Sequence, residues 1–424
     1  MSHPPPGLTH RHRSRMPRPP RPARRALTAL TAWLTLAAAP SVLAAQGGTA
    51  AREVPGAGDD FARARRTFLA NRVDEAYALL AAAVRARPDD AARHAWYADA
   101  ARRLGEVTTA RAEASEAVRL DACQSVAHEV LGMLWDPQFN RDGATSTDSA
   151  RAHYERAVAC DPRNGSSWMH LWGQALRRND APGERRALAG LERSAMIPSA
   201  WTAHARWVLT TLPKDAIAIS AGDIDTYPPV MLQALQRLRP DVAIVNRSLL
   251  NVPEVARTLV ARHRLPLPKG LTADSLADAA ERIIAFWRVE AAAGRLGRPL
   301  AVLHSNGEPG PGPGTALLAG PFWLVTPGPA RIDVRAVEEA LRVAGRLDWS
   351  GPSVAPHDRS PLRQAAQGAP AMMVGYLVAF EAQALGRQTP GREPWLRDFF
   401  TRAGTADASA QSVWQWIRQF PAGP

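Results

Sequence analysis

The chain has 424 residues, a formal net charge of +12 and 46% hydrophobic residues. That length favours two domains, and that apolar content is ample for packed cores, which excludes wholesale disorder. The charge is uneven, because residues 1–45 contain seven arginines and no acidic residue and leave only +5 for the remainder. No basic stripe is interleaved with aromatic residues, so the sequence gives no indication of nucleic-acid binding.

The N-terminal segment has the organisation of a secretory signal peptide. An arginine- and proline-rich stretch ends at Arg24 and Arg25, and an uncharged, largely apolar run follows over residues 26–39. The small residues after this run offer a cleavage site near Ala44 or Ala45. This order predicts a signal peptide over residues 1–45 and export to the periplasm or the medium.

Two features of this leader leave alternatives open. The apolar run is short for a membrane span, so an uncleaved anchor is the less favoured interpretation. The arginine pair also permits a twin-arginine signal, and the translation start is either Met1 or Met16. With the signal cleaved, we expect a linker over 46–56 and no transmembrane span in the mature chain.

A short motif then recurs in phase. Small residues at its first two positions let the two helices of a hairpin approach closely, and a proline ends the second helix. The interval of 34 residues resembles the tetratricopeptide repeat (TPR), and three to four helical hairpins are expected over 57–211, with an irregular alanine-rich bundle as the alternative. The third copy follows after 40 residues, and its extra residues fall in a predicted loop around 140–146. The three copies are Ala76, Ala83, Pro88; Ala110, Ala117, Ala122; and Ala150, Ala157, Pro162.

The only two cysteines are Cys123 and Cys160. Their repeat positions place Cys123 in the turn before the first helix of the third hairpin and Cys160 near the end of its second helix. Antiparallel helices bring those two ends together, and an exported protein permits a disulfide. We therefore predict a disulfide between them, with two separate buried thiols as the alternative.

The second half of the chain has an α/β pattern. Residues 216–219 and 242–245 are short apolar runs typical of buried parallel strands, and a helix is predicted between them over Pro228–Arg239. This order predicts a right-handed βαβ unit. Two further strands are predicted over 300–304 and 321–325.

The remaining segments complete the predicted fold. An amphipathic helix over Ser275–Ala293 precedes the third strand, and the Gly/Pro run 307–314 is a predicted loop. The fold class is therefore α plus α/β, with a TPR α-solenoid, a small, mostly parallel sheet domain over 212–330 and a helical C-terminal extension over 331–424 that packs on it. Helices of this extension are predicted over 371–385, 395–401 and 409–420.

The segment from Leu212 to Asn251 carries a family resemblance. Its motif residues are Gly222, Asp223, Asp225, Thr226, Tyr227 and Pro228, then Arg239, Pro240, Asp241 and Val242, then Leu249, Leu250 and Asn251. The segment resembles the soluble C-terminal region of bacterial polytopic membrane proteins related to protein O-mannosyltransferases. The membrane-embedded catalytic half of those proteins has no counterpart here, so the resemblance does not imply glycosyl transfer.

Polar residues follow the predicted strands where ligands bind in open α/β sheets. Carboxylates, amides, a histidine and an arginine together suit a divalent cation or a sugar phosphate. The alternative is structural, since Asp223 and Asp225 precede a helix whose N–H groups they could cap. No catalytic set, metal site or cofactor is predicted. The candidate ligand-binding residues are Asp223, Asp225, Asn246, Arg247, His304 and Asn306.

These patterns favour an exported scaffold whose TPR concave face binds a peptide or a protein partner. The α/β half would then be a second module of unknown ligand. The alternative is an envelope carbohydrate-related enzyme, or a sugar- or nucleotide-sugar-binding protein, with its site around Asp223 and Asp225. An envelope glycan is accordingly the second candidate partner.

Overall fold

The computed structural model describes residues 59–140, 143–271, 279–303, 315–329, 331–350, 369–405 and 407–423. The predicted signal peptide, the linker and the candidate residues His304 and Asn306 lie outside these ranges. All described residues belong to one compact unit. Within them, no helix combines the length and the apolar character needed to cross a membrane.

The first part of this unit is an α-solenoid, as predicted. Each of the first seven helices packs against the next one, and the first eight helices form four hairpins. The turns between paired helices need left-handed backbone, which Asn71 (φ 60°) and Gly105 (φ 81°) adopt at equivalent repeat positions. The helices are α1 (Asp59–Leu69), α2 (Val73–Ala86), α3 (Ala91–Arg103), α4 (Val107–Leu120), α5 (Ser125–Trp135), α6 (Thr147–Cys160), α7 (Gly165–Arg177), α8 (Ala181–Arg193) and α9 (Ser199–Thr211).

The repeated alanines are buried where the helices touch. Between them, Leu80, Ala114 and Tyr154 are fully buried at one equivalent position, so the side chain that fills the gap differs from hairpin to hairpin. The larger Tyr154 fits because Gly132 faces it across the α5–α6 contact. The six alanines are Ala76, Ala83, Ala110, Ala117, Ala150 and Ala157, each at most 3% exposed.

A ring hydrogen bond that the motif does not reveal ties consecutive hairpins together. His94 donates from Nε2 to the carbonyl oxygen of Pro88 over 2.9 Å. One repeat later, His128 donates to Ala122 over 3.1 Å. In the fourth hairpin, the indole N–H of Trp168 donates to Pro162 over 2.9 Å. The same bond therefore closes each junction, with the ring changing from imidazole to indole.

The third hairpin carries the cysteines. Cys123 lies in the turn before α5 and Cys160 is the last residue of α6, and the structure joins them in a disulfide with their Cα atoms 5.2 Å apart. This cross-link joins the beginning of the third hairpin to its end.

A six-stranded sheet follows the solenoid in the order β2-β1-β3-β5-β4-β6. The pairs β1–β2, β1–β3 and β4–β6 are parallel, and β3–β5 and β4–β5 are antiparallel, so the sheet is mixed with a parallel majority. The short strands β4 and β6 were not expected from the sequence. The strands are β1 (Ile217–Ser220), β2 (Ala243–Asn246), β3 (Leu300–Leu303), β4 (Thr315–Leu318), β5 (Phe322–Thr326) and β6 (Arg331–Ile332).

Helices cover this sheet and form the C-terminal extension. Helices α12 and α14 contact strands of the sheet, and α14 also packs against α9, α13, α15 and α16. Helices α11 and α13 were not expected from the sequence. The helices are α10 (Tyr227–Gln236), α11 (Pro253–His263), α12 (Ala280–Ala292), α13 (Val334–Ala344), α14 (Ala369–Leu385), α15 (Arg392–Arg402) and α16 (Asp407–Ile417), with a 3₁₀ turn at Leu249–Asn251.

Helix α9 belongs to both parts of the unit. Val208, Leu209 and Leu212 share one apolar core with strands β1, β2 and β3. Trp207 of the same helix is fully buried and donates its indole N–H to the carbonyl oxygen of Ala340 in α13 over 2.7 Å. The last solenoid helix is therefore also a covering layer of the sheet.

The Arg239–Asp241 pair holds the end of α9. The Arg239 guanidinium donates to the carbonyl oxygens of Leu209, Leu212 and Pro213 over 2.7–2.9 Å. Asp241 accepts two hydrogen bonds from Arg239, which hold the pKa of its carboxyl far below the usual range. The arginine–proline–aspartate motif therefore has a structural role, which is to hold the junction between the solenoid and the sheet.

Substituting Gly190 tests the packing of the fourth hairpin. A Cβ on Gly190 would lie 2.3 Å from the Trp168 ring, so Gly190→Ala is expected to lower the free energy of unfolding by about 1–3 kcal/mol. The matched control is Gly173→Ala in α7, where a Cβ meets nothing within 4 Å, and it is expected to stabilise by about 0.5–1 kcal/mol. Denaturant melts of both variants check this, and equal stability of the two would contradict the packing.

Removing the disulfide tests the third hairpin. The bond closes a loop with a sequence separation of 37 residues, so Cys123→Ser/Cys160→Ser should lose about 3–4 kcal/mol of stability. Thiol titration of the unfolded, unreduced wild-type protein should find no free thiol. Two free thiols per chain, or an unchanged melting temperature in the double variant, would contradict the pairing.

Candidate functional site

A cleft of about 800 Å³ lies between the solenoid and the sheet. One wall is the face made by α3, α5 and α7, the first helices of successive hairpins, and we call it the solenoid wall. The other wall is formed by the segments that follow β1 and β2, and we call it the strand-end wall. Main side chains of the solenoid wall are Trp96, Asp99, Glu129, Met133, Phe139, Met169 and Trp172, and the strand-end wall contains Gly222, Asp223, Thr226, Tyr227, Asn246 and Ser248.

A buried polar network fixes the strand-end wall. Asn246 donates from Nδ2 to Thr226 Oγ1 over 2.8 Å, and the Thr226 hydroxyl donates to the Gly222 carbonyl over 2.7 Å. The Asn246 Oδ1 atom accepts from the backbone N–H groups of Ser248 and Leu249. Since both ends of its amide are occupied, Asn246 shapes the wall and leaves ligand contacts to its neighbours.

Asp223 points an unpaired carboxylate at the cleft. The residue is exposed, and within the described part of the chain its carboxylate has neither a hydrogen bond nor an ion pair. Helix α10 lacks a side-chain cap, and its first N–H groups, those of Thr226 and Tyr227, donate to the backbone carbonyl of Asp223. The capping interpretation is therefore wrong for Asp223. Surrounding protein atoms remove water from this carboxyl and raise its pKa.

The other predicted residues lie apart from this position. Asp225 is only 5% exposed and is not among the residues lining the cleft. Arg247 is an exposed residue that forms an ion pair with Glu281 of α12 at 2.6 Å and is likewise absent from the lining. Of the six candidates, the structure thus brings Asp223 and Asn246 into the cleft, and His304 and Asn306 lie outside the described residues.

Aromatic residues that sequence reasoning missed line the cleft beside Asp223. Trp172 packs edge-on against Tyr227 with ring centroids 5.1 Å apart. Burial and the nearby charge of Asp223 raise the pKa of the Tyr227 hydroxyl well above its usual value. Trp172 is 4% exposed, and its indole N–H has no hydrogen-bond partner among the described residues. The signal available in the sequence was the placement of Trp172 on a first helix of the repeat.

A second aromatic group lies on the solenoid wall. Phe139 is 45% exposed and meets His170 edge-on at 5.0 Å, and His170 stacks on Tyr154 at 4.7 Å. Burial lowers the pKa of His170 to about 4, so the ring is neutral at physiological pH. Phe139 therefore offers an apolar surface, and the neighbouring His170 ring adds no positive charge to it.

The acidic residues of the solenoid wall are already paired. Asp99 accepts from Arg102 over 2.8 Å, and Asp136 accepts from Gln174 over 2.8 Å and from Arg177 over 2.9 Å. Glu129 accepts from Asn164 over 3.0 Å. In the described ranges, no group of three or more His, Cys, Asp or Glu side chains is placed to hold a metal ion. The arrangement suits hydrogen bonding, ionic and apolar contacts with an organic ligand.

Comparison with known proteins adds a family match for part of this region. The profile of the family described as TMEM260-associated domain 2 matches residues 202–286, which include α9, β1, α10, β2 and α11. The matched range contains the segment from Leu212 to Asn251, but the family description names no mannosyltransferase, so it does not support the predicted relation to O-mannosyltransferase-related proteins. No curated protein matches the chain.

Among solved structures, the chain is similar to one titled "Structure of Naa15/Naa10 bound to HypK-THB", with 12% identity and a TM-score of 0.29. That alignment covers 86% of this chain and 45% of the other, so this chain spans less than half the length of that one.

Substitutions at two adjacent residues test which of them stabilises the structure at the end of β2. Asn246→Ala removes a buried amide and leaves backbone N–H groups unpaired, so it is expected to cost about 1–3 kcal/mol of stability. Arg247→Ala breaks a solvent-exposed ion pair and should cost less than about 1 kcal/mol. Equilibrium unfolding checks both, and an equal loss for the two variants would contradict the structural role of Asn246.

Proposed function

We propose that the protein is an exported TPR scaffold that binds a segment of a partner protein in the cleft between the solenoid wall and the strand-end wall. The observation that best supports this proposal is that both walls line one cavity of about 800 Å³. Stacked helical hairpins commonly use the extended surface of their repeats to bind partners. Here that surface is closed on one side by a second module, which gives the partner segment two walls to contact.

The lining supports a polypeptide ligand. The exposed Phe139 ring offers an apolar surface for a side chain, and the Trp172 N–H is a donor available to a backbone carbonyl. Asp223 adds a carboxylate that no described residue pairs with. Apolar surface with a few convergent polar groups is the usual make-up of a binding pocket.

Export to the periplasm or the medium is part of the proposal. It is supported by the order of the first 45 residues, which is that of a cleavable signal. The pairing of Cys123 with Cys160 also supports it, because structural disulfides persist mainly in oxidising compartments.

An envelope glycan is the second candidate ligand, bound either by a carbohydrate-related enzyme or by a sugar- or nucleotide-sugar-binding protein. The observation that favours it is that the Asp223 carboxylate and the Trp172 N–H, neither of which has a partner among the described residues, line the same cleft, since sugar hydroxyls both donate and accept hydrogen bonds. The polypeptide is preferred because the cleft continues along three helices of the solenoid wall, far beyond these two groups.

Site-specific photo-crosslinking in cells tests the function. A photoreactive amino acid in place of Phe139 lies in the cleft, and the same substitution at Leu104, an exposed apolar residue outside the lining, is the control. We expect protein adducts at position 139 in the exported fraction, whose N-terminus should be Ala45 or Gln46. Adducts no stronger than those at position 104, or an intact leader in the membrane pellet, would contradict the proposal.

A further inference from the structure

Asp223 differs from Asp99 and Asp136, two other acids of the cleft, because no cation pairs with its carboxylate within the described residues. Asp99 and Asp136 are paired with arginines of their own wall, and the chain as a whole carries a surplus of positive charge. The Asp223 carboxylate nevertheless forms no hydrogen bond or ion pair within the described residues. The surrounding protein atoms partly desolvate this carboxyl and raise its pKa, so a cation beside it would stabilise its charged form.

A second unpartnered group lies on the opposite wall. Trp172 is more than nine-tenths buried, yet its indole N–H has no partner among the described residues and the residue lines the cleft. Its ring packs against Tyr227, and the Tyr227 N–H donates to the backbone carbonyl of Asp223 over 2.9 Å. A carboxylate, an aromatic ring and an indole donor therefore line the same cleft, and neither the carboxylate nor the donor has a partner among the described residues.

We propose that Asp223, Tyr227 and Trp172 form a subsite for one lysine side chain of the partner segment. The Asp223 carboxylate binds the lysine ammonium, the Tyr227 ring flanks it, and the Trp172 indole N–H donates to a backbone carbonyl oxygen of the same segment. This subsite rests on the proposed function, because it requires a polypeptide in the cleft.

The lining favours an ammonium over other ligand groups. A hard metal ion needs several oxygen ligands, whereas Asp225 does not line the cleft and the Asn246 oxygen is already occupied. A neutral group would leave the Asp223 charge uncompensated. A compact ammonium suits a single carboxylate beside an aromatic ring, where the ring adds a cation–π contact.

The test uses the full exported protein and a labelled probe peptide, acetyl-Ala-Ala-Lys-Ala-Ala-amide, in fluorescence anisotropy titrations. Replacing lysine in the probe by norleucine or by Nε-acetyl-lysine keeps the stem and removes the charge. Each replacement is expected to weaken binding at least tenfold. A probe with a free α-amino group and norleucine at the centre should bind no better than the norleucine probe, which distinguishes the side chain from a chain terminus.

Asp223→Asn should weaken the lysine probe at least tenfold and leave the norleucine probe unchanged. Because the carboxylate has no partner among the described residues, the variant should melt at or above the wild-type temperature, so reduced binding cannot be attributed to unfolding. Asp398→Asn is the matched control, since Asp398 is an exposed acid on α15 outside the cleft, and it should bind as wild type does. Trp172→Phe, which keeps a ring and removes the donor, should weaken both probes by a similar factor.

Equal binding of the lysine and norleucine probes, or an Asp223→Asn variant that still prefers lysine, would overturn the subsite. So would displacement by a neutral oligosaccharide that depends on Asp223, which would favour the glycan. If the probe titrations give one of these results but protein adducts still form at position 139, only the lysine subsite is rejected. Absence of those adducts rejects the scaffold function itself.

Discussion

The structure depends on the burial of α9 against the sheet. A short sheet cannot hide its apolar face alone, and here the last helix of the solenoid covers it, with Val208 and Leu209 in the same core as β1 and β2. Trp207 ties the same helix to α13, and Arg239 holds the carbonyl groups at its C-terminal end. One helix therefore fixes how the repeats meet the α/β part.

The cleft is a consequence of that arrangement. Helix α10 packs against both α8 and α9, and α11 packs against α7, so the segments after β1 and β2 are held opposite the first helices of the hairpins. An ion pair between Arg262 and Glu184 also joins α11 to α8. It has two hydrogen bonds of 2.6 and 3.0 Å, and Glu184 is only 7% exposed. Both walls are thus parts of one packed unit, and a ligand meets them together.

Local and periodic features could be predicted from the sequence, and cross-chain contacts could not. The recurring alanines predict hairpins because helix packing acts at a fixed spacing, and apolar runs such as 242–245 predict buried strands. Strand β4 directly follows the Gly/Pro run 307–314, which predicts a loop, so its four residues were not distinguished from that loop. The ion pair of Arg247 could not be predicted, because its partner Glu281 comes from a helix 34 residues further along the chain. The capping interpretation of Asp223 is wrong because the N–H groups at the start of α10 donate to the backbone carbonyl of Asp223 and not to its carboxylate.

The central claim is that one ligand segment contacts both walls of the cleft at once. Photoreactive residues placed separately at Phe139 on the solenoid wall and at Ser248 on the strand-end wall test it most directly, because both positions are exposed and line the same cavity. Peptide mapping of the adducts should identify the same partner and the same short segment from either position. Adducts from position 139 alone, or different partners at the two positions, would contradict a composite site.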